Sequence, residues 1–375
     1  MLAPLSPADD LVSLDAFLAE HLAPAAAEID AGHLYPSDIL RGLGGLGAFR
    51  QHLPRGGTAD LWPAIDAMAS IGAVCGSTAF MAWCQDALVW YVANSPNAAL
   101  RDRFLDGVAS GRTLGGTGLS NPMKSFFQIE TMKLTATPGE REGVNVRGIL
   151  PWVSNLGPDH LFGTIASRRD GEAVMVLADC ARPELAMTAC APFLGMDGTG
   201  TYALQFRDLP VPADMILADP AKPFVLAIRA GFVLLQTGMG LGLVRDCAAI
   251  MREVRPQLGA INSYLDVQPE TIEAELQALS AEIRSLAATP FDRSLGYWIR
   301  VVQTRLDTSE LSLKASQAAL LHAGARGYVK AHRAQRRLRE AFFVAIVTPA
   351  TKQLRKMLTM AQAEMAQAET AGAAA

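Results

Sequence analysis

Along the first 112 residues, apolar positions recur at three- and four-residue spacing, the period of helices that bury one side. In "SDILRGLGGLGAF" (residues 37–49), Ile39, Leu40, Leu43 and Leu46 share a stripe, with Ser37 or Asp38 placed to cap it. Trp83, Trp90 and Tyr91 fall in a second helical run, Ser77 to Val92, and read as core. Breaks fall at "AGHLYPSD", "HLPRGG" and "ANSPN". From 113 to 220 the period shortens to two. "MKLTATPGEREGVNVRGIL" alternates, breaks at Pro138-Gly139, and alternates again; "HLFGTIASRRDGEAVMVLADC" reads as two strands joined through Asp170-Gly171; "TYALQFRDLPVP" is a strand closed by prolines. From 221 to 362 helical spacing returns in four longer segments, broken near "RPQLGAINSYLDVQPE", "ATPFDRS" and "GARGY". Residues 363–375 are Ala/Gln/Glu-rich and read as a disordered tail.

The predicted fold class is therefore mainly α with a middle β domain (α+β): an N-terminal helical domain (1–112), a small antiparallel β barrel (113–220) and a C-terminal helical bundle (221–362). Strand and helix do not alternate, and no G-x-G-x-x-G follows a strand, so a Rossmann sheet is excluded.

Half of the 375 residues are apolar and 19% are charged, which excludes general disorder and predicts ample burial. A net charge of −4 provides no broad footprint for nucleic acid. The five cysteines (Cys75, Cys84, Cys180, Cys190, Cys247) are scattered and form no C-x-x-C, which fits buried thiols in a reducing compartment and neither a disulfide framework nor a metal site. The start, "MLAPLSPADDLVSLD", has acids where a signal peptide is basic. The apolar run from Phe224 to Val244 is interrupted by Arg229 and diluted by Gly and Thr, so it reads as a core helix and not a membrane span. The expectation is a cytoplasmic protein.

Chemistry enters with "ILPWVSNLG" (Ile149 to Gly157). On an extended backbone Trp152 and Ser154 face the same side, an indole and a hydroxyl presented together to something flat with a polar rim. This stretch, with "FLGMDGTGTYALQFRDLPVPADMIL" (Phe193 to Leu217) and "TGLSNP" (Thr117 to Pro122), resembles in order and spacing the motifs of the acyl-CoA dehydrogenase superfamily. They are similar to its G-x-K-x-W-[IV]-[ST] segment, its Gly-rich turn with a V-P-A-[DE] exit, and its T-E-P segment. The resemblance covers nearly the whole chain. It implies the superfamily's fold, FAD as cofactor, an acyl-CoA substrate and a homo-oligomer, dimer or tetramer. It also implies that Trp152 packs near the isoalloxazine and Ser154 hydrogen-bonds it, while Leu119 and Ser120, in the T-E-P slot, reach the flavin. Arg255, in "RPQLG", matches the R-x-x-F-G arginine that grips the pyrophosphate of FAD in a neighbouring subunit.

The resemblance fails at the catalytic base. Dehydrogenation needs a carboxylate to take the thioester α-proton. Laid over "REAFFVAIVTPAT", the family pattern places Thr348 at the glutamate and Pro349 at the following glycine. The first long C-terminal helix, which carries the base in some relatives, has no acid in "AIRAGFVLLQTGMGLG". Three readings stay open. A dehydrogenase draws its base from elsewhere, with Asp86 and Glu340 the nearest candidates. A flavin monooxygenase of the same fold needs no such base; Gln85, Asn121 and His322 would line its pocket, with FAD or FMN. A degenerate member binds without catalysis. The basic stretch "KAHRAQRRLRE" (330–340) reads as a solvated, salt-bridged helix face.

Overall fold

The computed structural model describes residues 14–54, 59–190 and 192–373. The N-terminal region contains α1 (Ala23–Asp30), α2 (Ser37–Gly45), α3 (Trp62–Val74), α4 (Gly76–Asn94) and α5 (Ala98–Ala109). The β region follows: β1 (Gly115–Thr117), α6 (Ser120–Phe126), β2 (Leu134–Pro138), β3 (Val144–Val153), β4 (Leu161–Ser167), β5 (Ala173–Asp179), β6 (Leu185–Ala189), β7 (Tyr202–Val211) and β8 (Ile216–Ala218). The C-terminal region comprises α7 (Ala221–Leu235), α8 (Thr237–Asn262), α9 (Pro269–Ala287), α10 (Leu295–Gly327), α11 (Arg333–Ile346) and α12 (Thr351–Ala373). The expected order of helices, strands and helices holds.

Three details differ. The C-terminal region has six helical segments where four were expected. Two of them, α7 and α8, form almost one rod, because Gln236 between them keeps near-helical angles; α11 and α12 are parted at Thr348-Pro349, since proline disfavours helix at the residue before it. Residues 363–373, expected as a disordered tail, continue α12 to Ala373, in keeping with the helix propensity of Ala, Gln and Glu. The sheet is mixed and not antiparallel throughout. Its path is β6-β7-β3-β2-β4-β5-β8, with β1 added on β4, and both β1 and β2 run parallel to β4. The Asp170-Gly171 hairpin forms as predicted, pairing Ser167 with Ala173 through to Leu161 with Asp179.

Strand β4 is buried on both faces, which places the sheet between two cores. Phe162 and Ala166 join Val146, Leu150, Val174, Leu204 and Phe206 in a core internal to the β region. Leu161 and Ile165 face the helices and join the main core. The centre of that core is α4, buried from Gly76 to Val92 around its whole circumference. Trp90 sends its indole N–H to the Ile228 carbonyl of α7 at 3.0 Å and lies against Gly231, where a Cβ would stand 2.5 Å from the ring. The apolar run beginning at Phe224 is thus packed inside the protein, with 78% of its most apolar window buried.

Candidate active site at the β–bundle junction

Strand β3 does not stay extended through the tryptophan motif. Its register against β7 shifts between Leu150 and Val153, and Trp152 takes a φ of +56°. The expectation that Trp152 and Ser154 share one face of a regular strand is therefore corrected by this bulge, which re-aims a side chain as bulges do. Trp152 turns outward and stays 65% exposed. Ser154 is buried and shares a hydrogen bond with Thr201 at 2.7 Å, and Thr201 with Thr199 at 2.9 Å.

Asn155 fastens this turn to the next motif. Its side chain donates to the Gly115 carbonyl at 2.6 Å and accepts from the Tyr35 hydroxyl at 2.8 Å. Gly116 lies so close that a Cβ there would sit 2.2 Å from the Ser154 carbonyl, so β1 needs glycine to approach. Two residues past β1, Leu119 is buried, and the next residue, Ser120, opens α6.

The Ser120 hydroxyl meets the Thr348 hydroxyl at 2.9 Å, although 228 residues separate them. Gln236 donates to the Thr348 carbonyl at 2.9 Å and accepts from Arg305 at 2.7 Å. Thus Ser120 and Thr348 are brought into contact, while Ser154 abuts the strand that leads to Ser120. Arg255 lies on exposed α8 surface and pairs with Glu270 at 2.7 Å. Gln236 and Arg305 carried no sequence signal: a Gln inside an apolar run and an Arg inside an amphipathic one match no motif.

The candidate bases are engaged elsewhere. Glu340 is 1% exposed; it accepts the Gly76 N–H at 3.0 Å and pairs with Arg337 at 2.6 Å. Asp86 is buried 3.4 Å from His52; burial holds its carboxyl well above the usual carboxylate range and pushes His52 down to about 3. The monooxygenase candidates are likewise used as struts. Gln85 bonds the Val108 and Thr113 carbonyls and the Gly115 N–H; Asn121 bonds the Thr131 carbonyl and the Lys133 N–H; His322 bonds the Val267 carbonyl. The basic helix is salt-bridged as expected but is not simply a solvated face: Arg337 is fully buried between Asp246 and Glu340, and Arg339 ties α11 to Asp30 of α1 and to the Leu194 carbonyl.

Comparison with known proteins identifies the class of fold. Over 96% of this chain and all of the other, the structure superposes on butyryl-CoA dehydrogenase from Megasphaera elsdenii with a TM-score of 0.83 at 18% identity. It also matches a glutaryl-CoA dehydrogenase from Mycobacterium smegmatis solved in complex with FADH2, with a TM-score of 0.73 at 16% identity, covering 96% and 95% of the two chains. The fold is that of the acyl-CoA dehydrogenases. Sequence relationship agrees. Residues 12–112 match the family described as acyl-CoA dehydrogenase, N-terminal domain. The chain is 23% identical over 350 residues to a probable acyl-CoA dehydrogenase, YngJ, of Bacillus subtilis (strain 168), covering 88% of this chain and 90% of that one. It is 25% identical over 341 residues to the mitochondrial short-chain specific acyl-CoA dehydrogenase of Homo sapiens, covering 87% and 82%. Residues 12–112 thus carry an acyl-CoA dehydrogenase N-terminal domain, and over most of its length the chain is similar to proteins named acyl-CoA dehydrogenases, in keeping with the resemblance carried by the motifs of the β region.

Proposed function

We propose that this protein is an FAD-dependent oxidoreductase of the acyl-CoA dehydrogenase type, acting on the CH–CH bond of a short acyl thioester. The observation that carries the reading is the Ser120–Thr348 contact, which joins the T-E-P slot to the base slot at one point beside the tryptophan turn. Two features suit a flavin. Trp152 presents a large, flat apolar surface to solvent, and Gln353, in the first turn after Pro349, is buried with neither amide atom hydrogen-bonded. A planar ring with a heteroatom rim complements such groups. Bound FAD supplies a two-electron acceptor for the hydride leaving the thioester β-carbon.

The chain's own residues bind and orient. Leu119 is buried in the main core beside Ser120, Ser120 and Thr348 offer hydroxyls, and Ser154 with Thr201 supports the Trp152 turn. Phe343 of α11 packs edge-on against Phe80 at 4.5 Å, Phe80 stacks on Trp83 at 5.9 Å, and Trp83 meets Phe232 at 5.2 Å. Phe232 of α7 stands four residues before Gln236 and Phe343 five before Thr348, so this aromatic cluster is tied to the Thr348 turn through the chain, which supports a short acyl end. The five free thiols are in keeping with the cytoplasmic reading. On α8, exposed Ile261 and the exposed Tyr264 just beyond it lie on the same stretch as Arg255, which supports a second copy of the chain covering that face.

Among the described residues, no carboxylate hydrogen-bonds Ser120 or Thr348. The test is anaerobic titration of the FAD-loaded protein with a C4 acyl-CoA and with longer thioesters, in wild type and in Thr348→Glu. Bleaching of the flavin by the short thioester, created or raised by Thr348→Glu, is expected. A flavin that stays oxidised with every thioester in both proteins would refute the proposal.

A further inference from the structure

The candidate site contains a cation that no acid balances. Arg305 of α10 is fully buried, and its guanidinium donates only to neutral oxygens: Gln236 Oε1 at 2.7 Å, the Val344 carbonyl at 2.8 Å and the Ser309 hydroxyl. No carboxylate lies within ion-pair distance of it among the described residues. The other fully buried arginine, Arg337, holds both Asp246 and Glu340. Burial pulls Arg305 down to about 9, so it stays charged at neutral pH. A buried, unmatched charge is costly, and a chain under no other constraint would replace it with a neutral side chain.

Its contacts lead straight to the site. By donating to Gln236 Oε1, Arg305 fixes which end of that amide faces it, and the Nε2 end is left to hold the Thr348 carbonyl at 2.9 Å. Two hydrogen bonds therefore separate the guanidinium from the main chain at the base slot. Thr348 in turn keeps its hydroxyl on Ser120.

We propose that Arg305 is a positioning residue for this site: through Gln236 it sets the Thr348 turn, and its unmatched charge favours a state in which negative charge builds up beside that turn. The state concerned is the electron-rich reduced flavin, so the inference rests on the function proposed above. The positive charge raises the tendency of the bound flavin to hold two electrons.

The test compares full-length, FAD-loaded Arg305→Met, Arg305→Lys and Ser309→Asp by the midpoint potential of the bound flavin. Met removes the charge and keeps the length; Lys keeps the charge and loses the fork; Asp supplies a carboxylate next to Arg305 without touching Gln236. The expected result is that Met and Asp each shift the reduced-to-oxidised ratio about tenfold toward oxidised, a fall of about 30 mV for a two-electron couple, while Lys stays near wild type. If Ser309→Asp fails to fold, the Met and Lys pair decides alone. Equal shifts in Met and Lys, or no shift in either, would overturn the proposal, because position and packing would then be the whole role of Arg305. A wild-type protein without a flavin spectrum, even with added FAD, is a separate result: it removes the proposed function and takes this inference with it.

Discussion

Glu340 and Arg337 form an energetic unit that can be weighed. Glu340 Oε2 receives Arg337 at 2.6 Å, and its Oε1 receives the Gly76 N–H at 3.0 Å, at the N-terminus of α4. The carboxylate therefore joins α11 to the central helix and stands where the helix dipole favours negative charge. Removing one partner of a buried pair costs about 3–5 kcal/mol when the other is left unmatched. Glu340→Gln should cost less, about 2–3 kcal/mol, because Arg337 still holds Asp246 at 2.7 Å and the new amide still accepts from Gly76. Arg337→Met should cost about 3–5 kcal/mol, since Arg336, at 3.7 Å, is the remaining cation near Glu340. The double variant should then cost about 2 kcal/mol less than the sum of the two. Urea unfolding followed by tryptophan fluorescence and far-UV circular dichroism measures each value, provided the two probes coincide. Single costs that add to within about 0.5 kcal/mol would refute the pairing. Flavin bleaching by thioester should survive Glu340→Gln; its loss in a folded variant would show that Glu340 serves the chemistry and not α4.

The remaining predictions are shorter. Trp152→Ala should lower FAD occupancy and leave the unfolding midpoint nearly unchanged, because the indole is 65% exposed and packs against little; unchanged occupancy in the visible spectrum would remove its flavin role. Trp83→Ala should cost about 3–5 kcal/mol in urea and move the preferred thioester toward longer chains; a stable variant with unaltered chain-length preference would dissociate the aromatic cluster from the substrate. His52, with a folded value depressed from 6.5 to about 3, binds fewer protons folded than unfolded, so its contribution is present above pH 6.5 and is lost as pH falls toward 3. His52→Gln should flatten the stability–pH curve across that window, and an unchanged slope would contradict the neutral buried imidazole. Asp86, displaced upward by burial, has the opposite sign: its contribution is present at low pH and lost as pH rises through its raised value, so Asp86→Asn should gain on wild type toward alkaline pH.

How far the sequence could be read depended on range. Periodicity located the three regions, the Asp170-Gly171 hairpin and the burial of Trp83, Trp90 and Tyr91, because each of these is set by neighbours within a few residues. The bulge at Trp152 was not legible, since period two gives no warning that a bulky residue takes a positive φ. The parallel pairing of β1 and β2 with β4 was hidden for a different reason: it depends on which edge is free after β5 and β8 have paired. The site divides in the same way. Ser120, Trp152, Ser154 and Thr348 each sat in a motif, whereas Gln236 and Arg305 became visible only as partners. The resemblance put Thr348 where the family pattern has an acid; it gave no sign that a buried, unmatched cation stood two hydrogen bonds behind it. The site therefore combines a hydroxyl, where the resembled pattern has an acid, with a buried cation that is costly to leave unmatched, so its charge balance is positive and not merely neutral.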